Sequence, residues 1–396
     1  MTAPVVGIVG AGQLARMTSQ AAISLAVVTR VLARDPSDPA CLTCTTFEIG
    51  DPGEFETLES FSRGCDVVTF DHEQVDPALV DELEALGRQV HPSGRVLRFS
   101  DKAHQRVEFA ARGIPVPEFV IATTAAEVVS FGDVHGWPVV AKVAVGGYDG
   151  RGVFVLDGPD QAETLMGRLE ARRVVVEPML AIEAEISVVV ARRTSGACVS
   201  YPVVETRQVD GICVETITPA SIDPEVADRA TALARRVAES IGATGILAVE
   251  LFVTDDGLVV NELAPRPHNS GHWTIEGAVT SQFENHLRGV LDWPLGDTSL
   301  VAPAVATVNV LGTNSHDPIQ HLPAALAVEG ARVHLYAKAV REGRKLGHVT
   351  ATGPEPEVAL RRARAAVEAL GVPLTPPSKA LTSPSKALTS KNGVLS

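Results

Sequence analysis

Cysteines and long apolar segments are scarce in this 396-residue chain, and each shortage excludes a class of protein. The five cysteines are odd in number and scattered, and the pair Cys41 and Cys44 lacks the second pair that a structural zinc site needs. No segment approaches the roughly 20 apolar residues that cross a bilayer. The N-terminus lacks the charged start and cleavage site of a signal peptide. We therefore expect a reduced, cytoplasmic protein with no membrane partner.

Basic residues are also in the minority, since 34 lysines and arginines face 48 acidic residues and the formal net charge is −14. Such a balance excludes the basic surface that a nucleic-acid groove requires, so we expect no nucleic-acid partner. A few local cations can still hold a small anionic substrate. Apolar residues make up 45% of a chain long enough for two or three domains, as in globular α/β proteins.

Strand and helix patterns alternate over residues 1–100, which predicts a domain built on a doubly wound parallel sheet. The predicted strands are VVGIVG (5–10), VTRVLARD (28–35), TTFEIG, DVVTF and RQVHP, and the predicted helices cover 13–25, 54–63 and 77–87.

The rest of the chain predicts a second large domain at 101–295, a β-rich C-terminal module at 296–374 and a tail. In the second domain we predict helices at 101–112, 160–172 and 223–241, long strands at 184–193 and 197–218, and a small α/β lid at about 115–181 with strands at 137–145, 152–156 and 173–179. In the module we predict strands in VATVNVLG, RVHLYAKAV and LGHVTATG and a helix at 355–370. In the tail, 375–396, the segment PSKALTS occurs twice without apolar periodicity, so we predict disorder there.

Two acids occupy matching positions in VELFVTDDGLVVNEL, which the tight Asp255-Asp256-Gly257 turn predicts to be a β-hairpin. If the strands pair symmetrically about Asp256, Glu250 faces Glu262, and like charges at that separation repel. A divalent cation between them removes the repulsion, and carboxylate oxygens suit Mg²⁺, with Mn²⁺ as a possible substitute. The pair indicates a metal clamp for a nucleotide triphosphate, and a slipped register with both acids solvated is the alternative.

A glycine-rich loop at 146–152 follows Lys142 and separates two predicted strands. Glycines let backbone N–H groups converge on phosphate oxygens, so we predict phosphate binding over a plain flexible turn. Lys102, at the start of the helix before the lid, could reach the same phosphates. Glu177 lies where the lid rejoins the body. A hinge there can present backbone groups to an adenine edge and the carboxylate to an amine or a ribose hydroxyl. Glu185, on the next strand, either belongs to the same site or lies on a solvated strand face.

The N-terminal glycine loop Gly10-Ala11-Gly12 matches the dinucleotide fingerprint G-x-G-x-x-G/A, with Asp35 near the expected acidic position. Taken alone it would indicate NAD. Any strand–glycine–helix turn offers a helix N-terminus to a phosphate, so we favour a monophosphate site in which Gln13 and Leu14 take part.

Together these motifs resemble the ATP-grasp ligases. GxGQLxRM at the start, DKxxQ at 101–105, GGYDGRG and NELAPRPHNSGHWT are most similar to the N5-carboxyaminoimidazole ribonucleotide synthetases within that family, over about 5–371. The chain departs from the family pattern at Ala15, at Asp71 in place of the first glutamate of TxExExV, and at Gln208, where a histidine can occur. The resemblance implies an α/β and α+β ATP-grasp architecture with a Rossmann-like N-terminal domain, a lid and a C-terminal β-rich module.

The resemblance also implies a reaction: bicarbonate attacks ATP to give carboxyphosphate, whose carboxyl group passes, directly or as CO₂, to aminoimidazole ribonucleotide. Implied catalytic residues are Arg266 and Lys142. Implied ATP contacts are Lys102, Lys142, Gly147, Tyr148, Asp149, Gly150, Arg151, Gly152, Val153, Glu177, Pro178, Met179, Leu180, Glu185, Gln208, Asn261 and Glu262. Implied substrate contacts are Gln13, Leu14, Glu73, Tyr148, Arg266, His268, Asn269, Ser270, Lys338, Arg344 and Lys345. Implied metal ligands are Glu250 and Glu262.

Three alternatives remain at this point. A formate-dependent purine transformylase is another ATP-grasp ligase, and bicarbonate dependence would separate the two. An NAD-dependent oxidoreductase leaves Lys142 and the acidic hairpin unexplained, and a non-catalytic nucleotide-binding regulator has no need of intact metal ligands. For Arg266, a purely structural ion pair with a nearby acid is the alternative to a catalytic role. The resemblance further suggests a homodimer.

Overall fold

The computed structural model describes residues 3–147, 152–169, 172–313 and 317–374. Predictions made for Tyr148, Asp149, Gly150 and Arg151, and for the repeat tail from 375 onward, lie outside the described residues. Within the described ranges, no helix combines the length and the apolar character needed to cross a bilayer.

The N-terminal region contains the predicted parallel sheet, with strand order β3-β2-β1-β4. The segment RQVHP is not a strand, contrary to the prediction. It makes only an isolated bridge from Val90 to Val68, because Pro92 has no N–H with which to continue a ladder. The elements are β1 (Val5–Val9), α1 (Gln13–Ser24), β2 (Val28–Ala33), β3 (Thr46–Ile49), α2 (Phe55–Ser62), β4 (Val67–Phe70), α3 (Pro77–Ala85), α4 (Gly94–Leu97) and α5 (Lys102–Ala111).

A small antiparallel sheet with order β5-β8-β6-β7 follows, and with its two helices it forms the lid. The helices and the sheet share one apolar core that includes Val128, Phe131, Leu165 and Val176. The first strand and the first helix of the lid were not predicted, although Thr124 and Glu127 form a capping box at that helix. The elements are β5 (Val120–Ala122), α6 (Ala125–His135), β6 (Val139–Val143), β7 (Val153–Leu156), α7 (Pro159–Arg168) and β8 (Val174–Pro178).

The body of the second domain is an antiparallel sheet packed against a long helix. The segment 197–218, predicted as one strand, is three strands, because Pro202 interrupts the ladder and a turn at Asp210 (φ 51°) and Gly211 (φ 74°) reverses the chain. The elements are β9 (Ile182–Arg192), β10 (Cys198–Ser200), β11 (Val204–Val209), β12 (Ile212–Thr218), α8 (Pro224–Ile241), β13 (Gly245–Thr254), β14 (Gly257–Ala264), α9 (Thr274–Gly277) and α10 (Gln282–Val290).

The C-terminal strands continue this sheet instead of building one of their own. β15 pairs antiparallel with β12, giving the order β14-β13-β9-β11-β12-β15-β17-β16 with β10 paired to β9. The strand predicted in RVHLYAKAV stops at Leu335, and Ala337 has a left-handed backbone (φ 56°) that ends the extended run. The elements are β15 (Ala304–Leu311), α11 (Leu322–Leu326), β16 (Ala331–Leu335), β17 (Lys345–Gly353) and α12 (Pro356–Ala369).

Candidate active site

The hairpin β13–β14 places Glu250 directly opposite Glu262, as predicted, but the strand register that brings them together differs from the predicted one. Next to the turn the register pairs Leu251 with Val260, which would set Glu250 opposite Asn261. The register shifts by one residue at this point, as in a β-bulge. The extra residue, Asn261, therefore brings the two carboxylates face to face, and pairing is not symmetric about Asp256.

The electrostatics of the acidic pair fit a divalent cation. Burial, together with repulsion from Glu262 and Glu185, raises the pKa of Glu250 to about 7. Among the described residues no group of three or more His, Cys, Asp or Glu side chains could hold a metal by itself. Proteins commonly bind Mg²⁺ through one or two carboxylates completed by substrate phosphates, and this donor set matches that chemistry. Lys102 Nζ lies 2.6 Å from Glu262 Oε1 and balances its charge.

A second, more buried network joins the lid to the hairpin. Lys142 on β6 contacts Glu177 Oε2 at 2.7 Å and Asn261 Oδ1 at 3.0 Å. Arg106 on α5 donates to Glu177 Oε1 at 2.6 Å and to the carbonyl of Asn261 at 2.8 Å. Burial lowers the pKa of Lys142, and the charge of Glu177 opposes that shift. Because both oxygens of Glu177 are engaged by cations, its carboxylate faces the protein network.

Arg106 is a candidate functional residue that the sequence analysis missed. An arginine on an amphipathic helix is commonly solvated, yet this residue is only 1% exposed. Its spacing of four residues from Lys102 puts both cations on one helix face, and that spacing was the available signal.

The predicted ATP contacts surround this network where the structure describes them. Gly146 (φ 86°) and Gly152 (φ 80°) have left-handed backbones, and Lys142 pairs with Val153 across the ladder. The hinge 177–180 ends β8, and there the side chain of Met179 is exposed while those of Pro178 and Leu180 are half-buried. Gly147 is the last residue of this loop that the structure describes before Gly152.

One face of the large antiparallel sheet that contains β9, β13 and β14, called the central sheet below, lies beneath Lys142. Phe252 lies with its ring centroid 5.8 Å from Lys142 Nζ, and Glu185 is its cross-strand neighbour on β9. Burial raises the pKa of Glu185, while Lys142 and a hydrogen bond with Gln208 oppose the shift. Glu185 is thus half-buried beside the network, and Gln208 contacts it where a family histidine can occur.

A second cluster lies at the N-terminal sheet, where Arg266 forms a bidentate ion pair with Glu73. Arg266 Nη2 donates to Glu73 Oε1 at 3.0 Å, and Nε donates to Oε2. Burial alone would raise the pKa of Glu73, but Arg266 lowers it to about 2. The structure therefore contains the ion pair that was the alternative to a catalytic role for Arg266. The acid in this pair, Glu73, is itself a predicted substrate contact.

Asp71, the shorter acid in the TxExExV-like segment, supports the N-terminal glycine loop. Its carboxylate accepts a hydrogen bond from the backbone N–H of Gly12, next to Gln13 and Leu14. A side chain at Gly12 would collide with that carboxylate. Ala15, the other departure in this loop, is fully buried in the core, which accommodates its methyl group.

The loop after β14 is held from three sides. Gln282 on α10 accepts from the N–H of His268 at 2.9 Å and donates to its carbonyl at 2.8 Å. Asn269 exchanges two hydrogen bonds with Asn309 on β15, at 2.9 and 2.8 Å. Ser270 Oγ lies 2.8 Å from Ser187 Oγ. Gln282 was not predicted as a site residue.

The same loop reaches the acidic pair, because His268 Nε2 lies 3.7 Å from Glu250 Oε1. The three predicted C-terminal cations, Lys338, Arg344 and Lys345, have different neighbours. The charge of Lys345, at the start of β17, opposes the rise in the pKa of Glu250, which places Lys345 near the acids. Lys338 Nζ is 5.6 Å from the ring centroid of Tyr336, and Arg344 is near enough to Asp38 for their charges to interact.

The acidic hairpin, the lid lysine and the glycine loop together define an ATP-grasp protein. The ATP-grasp domain family matches residues 107–283. The ribonucleotide synthetase preATP-grasp domain family matches residues 3–101, and the phosphoribosylaminoimidazole carboxylase C-terminal domain family matches residues 305–362.

Curated relatives narrow this class. The chain is 44% identical over 366 residues to the N5-carboxyaminoimidazole ribonucleotide synthase of Mycobacterium tuberculosis (strain ATCC 25618 / H37Rv), covering 89% of this chain and 84% of the relative. It is 39% identical over 379 residues to the enzyme of that name from Corynebacterium ammoniagenes, covering 93% and 92%. The chain belongs to the family of N5-carboxyaminoimidazole ribonucleotide synthases, and it is an ATP-dependent ligase.

Solved structures have the same architecture. An Aspergillus clavatus N5-carboxyaminoimidazole synthase in complex with ADP and 5-aminoimidazole ribonucleotide matches with a TM-score of 0.85 at 31% identity, covering 93% of this chain and 99% of that one. The Thermotoga maritima synthetase matches with a TM-score of 0.82 at 34% identity, covering 92% and 98%. The resemblance and fold class predicted from the sequence are confirmed, and the transformylase alternative is not favoured.

Proposed function

We propose that this protein carboxylates 5-aminoimidazole ribonucleotide with bicarbonate and ATP, giving N5-carboxyaminoimidazole ribonucleotide, ADP and phosphate in de novo purine (IMP) biosynthesis. The single observation that carries the proposal is the course of residues 262–270. This segment starts at the acidic pair, contributes Arg266 to the N-terminal cluster and ends in the loop held by Gln282. One continuous piece of chain thus links the ATP half of the site to the substrate half.

In the ATP half, protein groups position and neutralise the triphosphate, which is most of what phosphoryl transfer needs. Lys102 and Lys142 approach the hairpin from α5 and from the lid, and both are poised to contact phosphate oxygens. Glu250 and Glu262 would hold Mg²⁺, or Mn²⁺ in its place, and the ion would neutralise charge on the triphosphate. The backbone of 177–180 presents polar groups to the adenine edge.

In the substrate half, bicarbonate oxygen attacks the γ-phosphorus, and ADP leaves as carboxyphosphate forms. Arg266 neutralises the developing anion, and its pairing with Glu73 fixes the plane of the guanidinium. The exocyclic amine of aminoimidazole ribonucleotide then captures the carboxyl group, directly or as CO₂, and phosphate leaves. The helix α1 N-terminus at Gln13 and Leu14, with Lys338, Arg344 and Lys345, is suited to the ribonucleotide phosphate.

Three finer features are part of the proposal. His268, Asn269 and Ser270 line the substrate side, Tyr148 of the glycine loop contacts the imidazole, and the loop residues 147–153 cover the phosphates. The enzyme acts in the cytoplasm, where purine synthesis takes place, and it forms a homodimer. The family resemblance supports the phosphate cover and the homodimer, and the polar character of the loop 268–270 supports its substrate role.

The test is phosphate release from ATP, measured with and without aminoimidazole ribonucleotide and bicarbonate. We expect release only when both substrates are present, with formate unable to replace bicarbonate. Glu262→Gln should lower the rate by about 100-fold or more while leaving the circular dichroism spectrum unchanged, since the metal clamp loses one charge. Glu183→Gln, an exposed carboxylate at the start of β9, is the matched control and should keep the wild-type rate. Full activity of Glu262→Gln would contradict the metal assignment, and formate-driven turnover would contradict the substrate.

A further inference from the structure

We propose that Arg106 is a positioning residue that sets the charge of the ATP pocket: by neutralising Glu177, it leaves the positive charge of Lys142 free for the triphosphate. The inference rests on the proposed ATP site and deepens it. Arg106 does not itself need to contact the nucleotide.

The contacts of Arg106 join three parts of the fold that must be correctly placed for ATP to bind. The residue sits on α5, its Nε donates to Glu177 Oε1 on lid strand β8 at 2.6 Å, and its Nη2 donates to the carbonyl of Asn261 on β14 at 2.8 Å. Nη1 donates to Gln105 Oε1 at 2.7 Å. Every contact is a charge-assisted hydrogen bond in a buried place, so the guanidinium has one well-defined position.

The count of charges around Glu177 gives the reason for a second cation. Lys142 and Arg106 bind separate oxygens of one carboxylate, at 2.7 and 2.6 Å. These three side chains, two cations and one anion, carry a net charge of +1, and the hydrogen bond of Lys142 to Asn261 at 3.0 Å goes to a neutral amide. The neighbouring pair Lys102–Glu262 is balanced by itself. The surplus charge of the network therefore comes from Arg106.

If Arg106 is replaced by an uncharged residue, Glu177 has Lys142 as its cationic partner and cancels the lysine charge. The triphosphate then meets a neutral network where the wild-type protein offers a cation. Removing the negative charge of Glu177 as well returns the network to a single cation on Lys142. A charge-setting role thus predicts that a second substitution repairs the first. A purely structural role predicts that the two losses add, because both remove buried hydrogen bonds.

The experiment compares ATP dissociation constants of the full-length protein, measured by isothermal titration calorimetry with Mg²⁺ and without aminoimidazole ribonucleotide. Arg106→Met should weaken ATP binding about 10- to 100-fold, in line with the loss of a charge-assisted interaction. Arg106→Met combined with Glu177→Gln should recover at least half of that loss on a logarithmic scale. Arg106→Lys should fall between wild type and Arg106→Met, because it keeps the charge but not the fork of donors. Melting temperatures recorded alongside identify any variant that fails to fold.

A matched control is the pair Arg364–Glu215, whose two hydrogen bonds of 2.6 and 2.7 Å join α12 to β12 away from the site. Arg364→Met, alone or with Glu215→Gln, should leave ATP affinity unchanged. The inference is overturned if Arg106→Met binds ATP as tightly as the wild type, or if the double variant at Arg106 and Glu177 recovers less than half of the loss. Because the readout is ATP binding, failure to carboxylate aminoimidazole ribonucleotide would count against the proposed reaction and leave this result intact.

Discussion

Lys102 and Glu262 form a 2.6 Å ion pair that joins the first turn of α5 to β14. The same two groups are those that we expect to bind phosphate and metal. In the nucleotide-free protein each therefore satisfies the charge of the other, and the metal position stays partly neutralised. We expect an arriving triphosphate to compete for the ammonium group of Lys102 and so to release the Glu262 carboxylate for the metal.

We predict that Mn²⁺ binds weakly to the nucleotide-free protein and that Lys102→Met strengthens this binding about tenfold, because the Glu262 carboxylate then loses its ammonium partner. The free Mn²⁺ signal in electron paramagnetic resonance measures it without turnover. The same substitution should weaken ATP binding. Arg173→Met, which removes an exposed ion pair with Asp101 at the same end of the helix, should change neither value. Equal Mn²⁺ affinity in wild type and Lys102→Met would show that the Lys102–Glu262 ion pair does not weaken metal binding.

Gln282 forms hydrogen bonds with both the backbone N–H and the backbone carbonyl of His268. We therefore expect it to position the substrate half of the site. Gln282→Met leaves the N–H and the carbonyl of His268 without these partners, at a cost of about 1–3 kcal/mol each if they stay buried. We expect kcat/KM for aminoimidazole ribonucleotide to fall about tenfold or more, with ATP affinity close to wild type, in steady-state and binding assays.

A matched glutamine is available on the lid, where Gln161 donates to Asp157 at an exposed position. Gln161→Met should leave all constants unchanged. An equal loss of ATP affinity and substrate kinetics in Gln282→Met would instead indicate a general loss of folding, as would a large drop in its melting temperature.

His286 links the first sheet to the central sheet as a neutral imidazole. Its Nε2 lies 2.8 Å from Thr69 Oγ1, and its Nδ1 accepts from the N–H of Ile246 at 3.1 Å. Burial, helped by the charge of His91, lowers the pKa of His286 to about 3. The unfolded chain takes up this proton near pH 6.5 and the folded chain does not, so this contribution to stability is complete above that pH and declines below it.

The expected loss from His286 alone is ~2 kcal/mol between pH 8 and pH 5, from a titration that the native state lacks in this range. Urea unfolding of wild type and His286→Asn at both pH values measures it. The variant is less stable at pH 8, but its stability should fall less on acidification. If both proteins lose the same amount, His286 is not buried as a neutral base.

Removal of the residues after Leu374 should leave catalysis unchanged. The segment carries the PSKALTS repeat, and no residue that we assign to the site falls within it. Steady-state rates of the shortened and full-length chains test this expectation directly. A severalfold loss of rate in the shortened chain would mean that the tail contributes to the reaction.

Short sequence patterns predicted a secondary-structure element well where a few residues determine its backbone, as in a tight turn. The Asp255-Asp256-Gly257 turn indicated the hairpin, and the hairpin brought Glu250 to Glu262. The bulge that produces this register could not be predicted, because it depends on what Asn261 contacts. Its carbonyl and its amide bind Arg106 and Lys142, which come from distant parts of the chain.

Buried polar partners were the main omission. Arg106 and Gln282 have the helical spacing of ordinary surface residues, and only tertiary packing buries them. Tertiary structure also decides how the C-terminal strands pair. Their alternating pattern predicts that they are strands, but it does not predict which strand lies next to them. That β15 pairs with β12 is a long-range choice which periodicity does not encode.

The pairing of β15 with β12 has a practical consequence for dividing this protein into fragments. A recombinant piece that ends before Ala304 would leave the edge of β12 open along Glu215–Thr218, with unpaired N–H and C=O groups. Such an edge recruits other chains, so the truncated piece should self-associate or precipitate during expression. The ATP-binding part and the C-terminal strands are therefore best produced as one polypeptide.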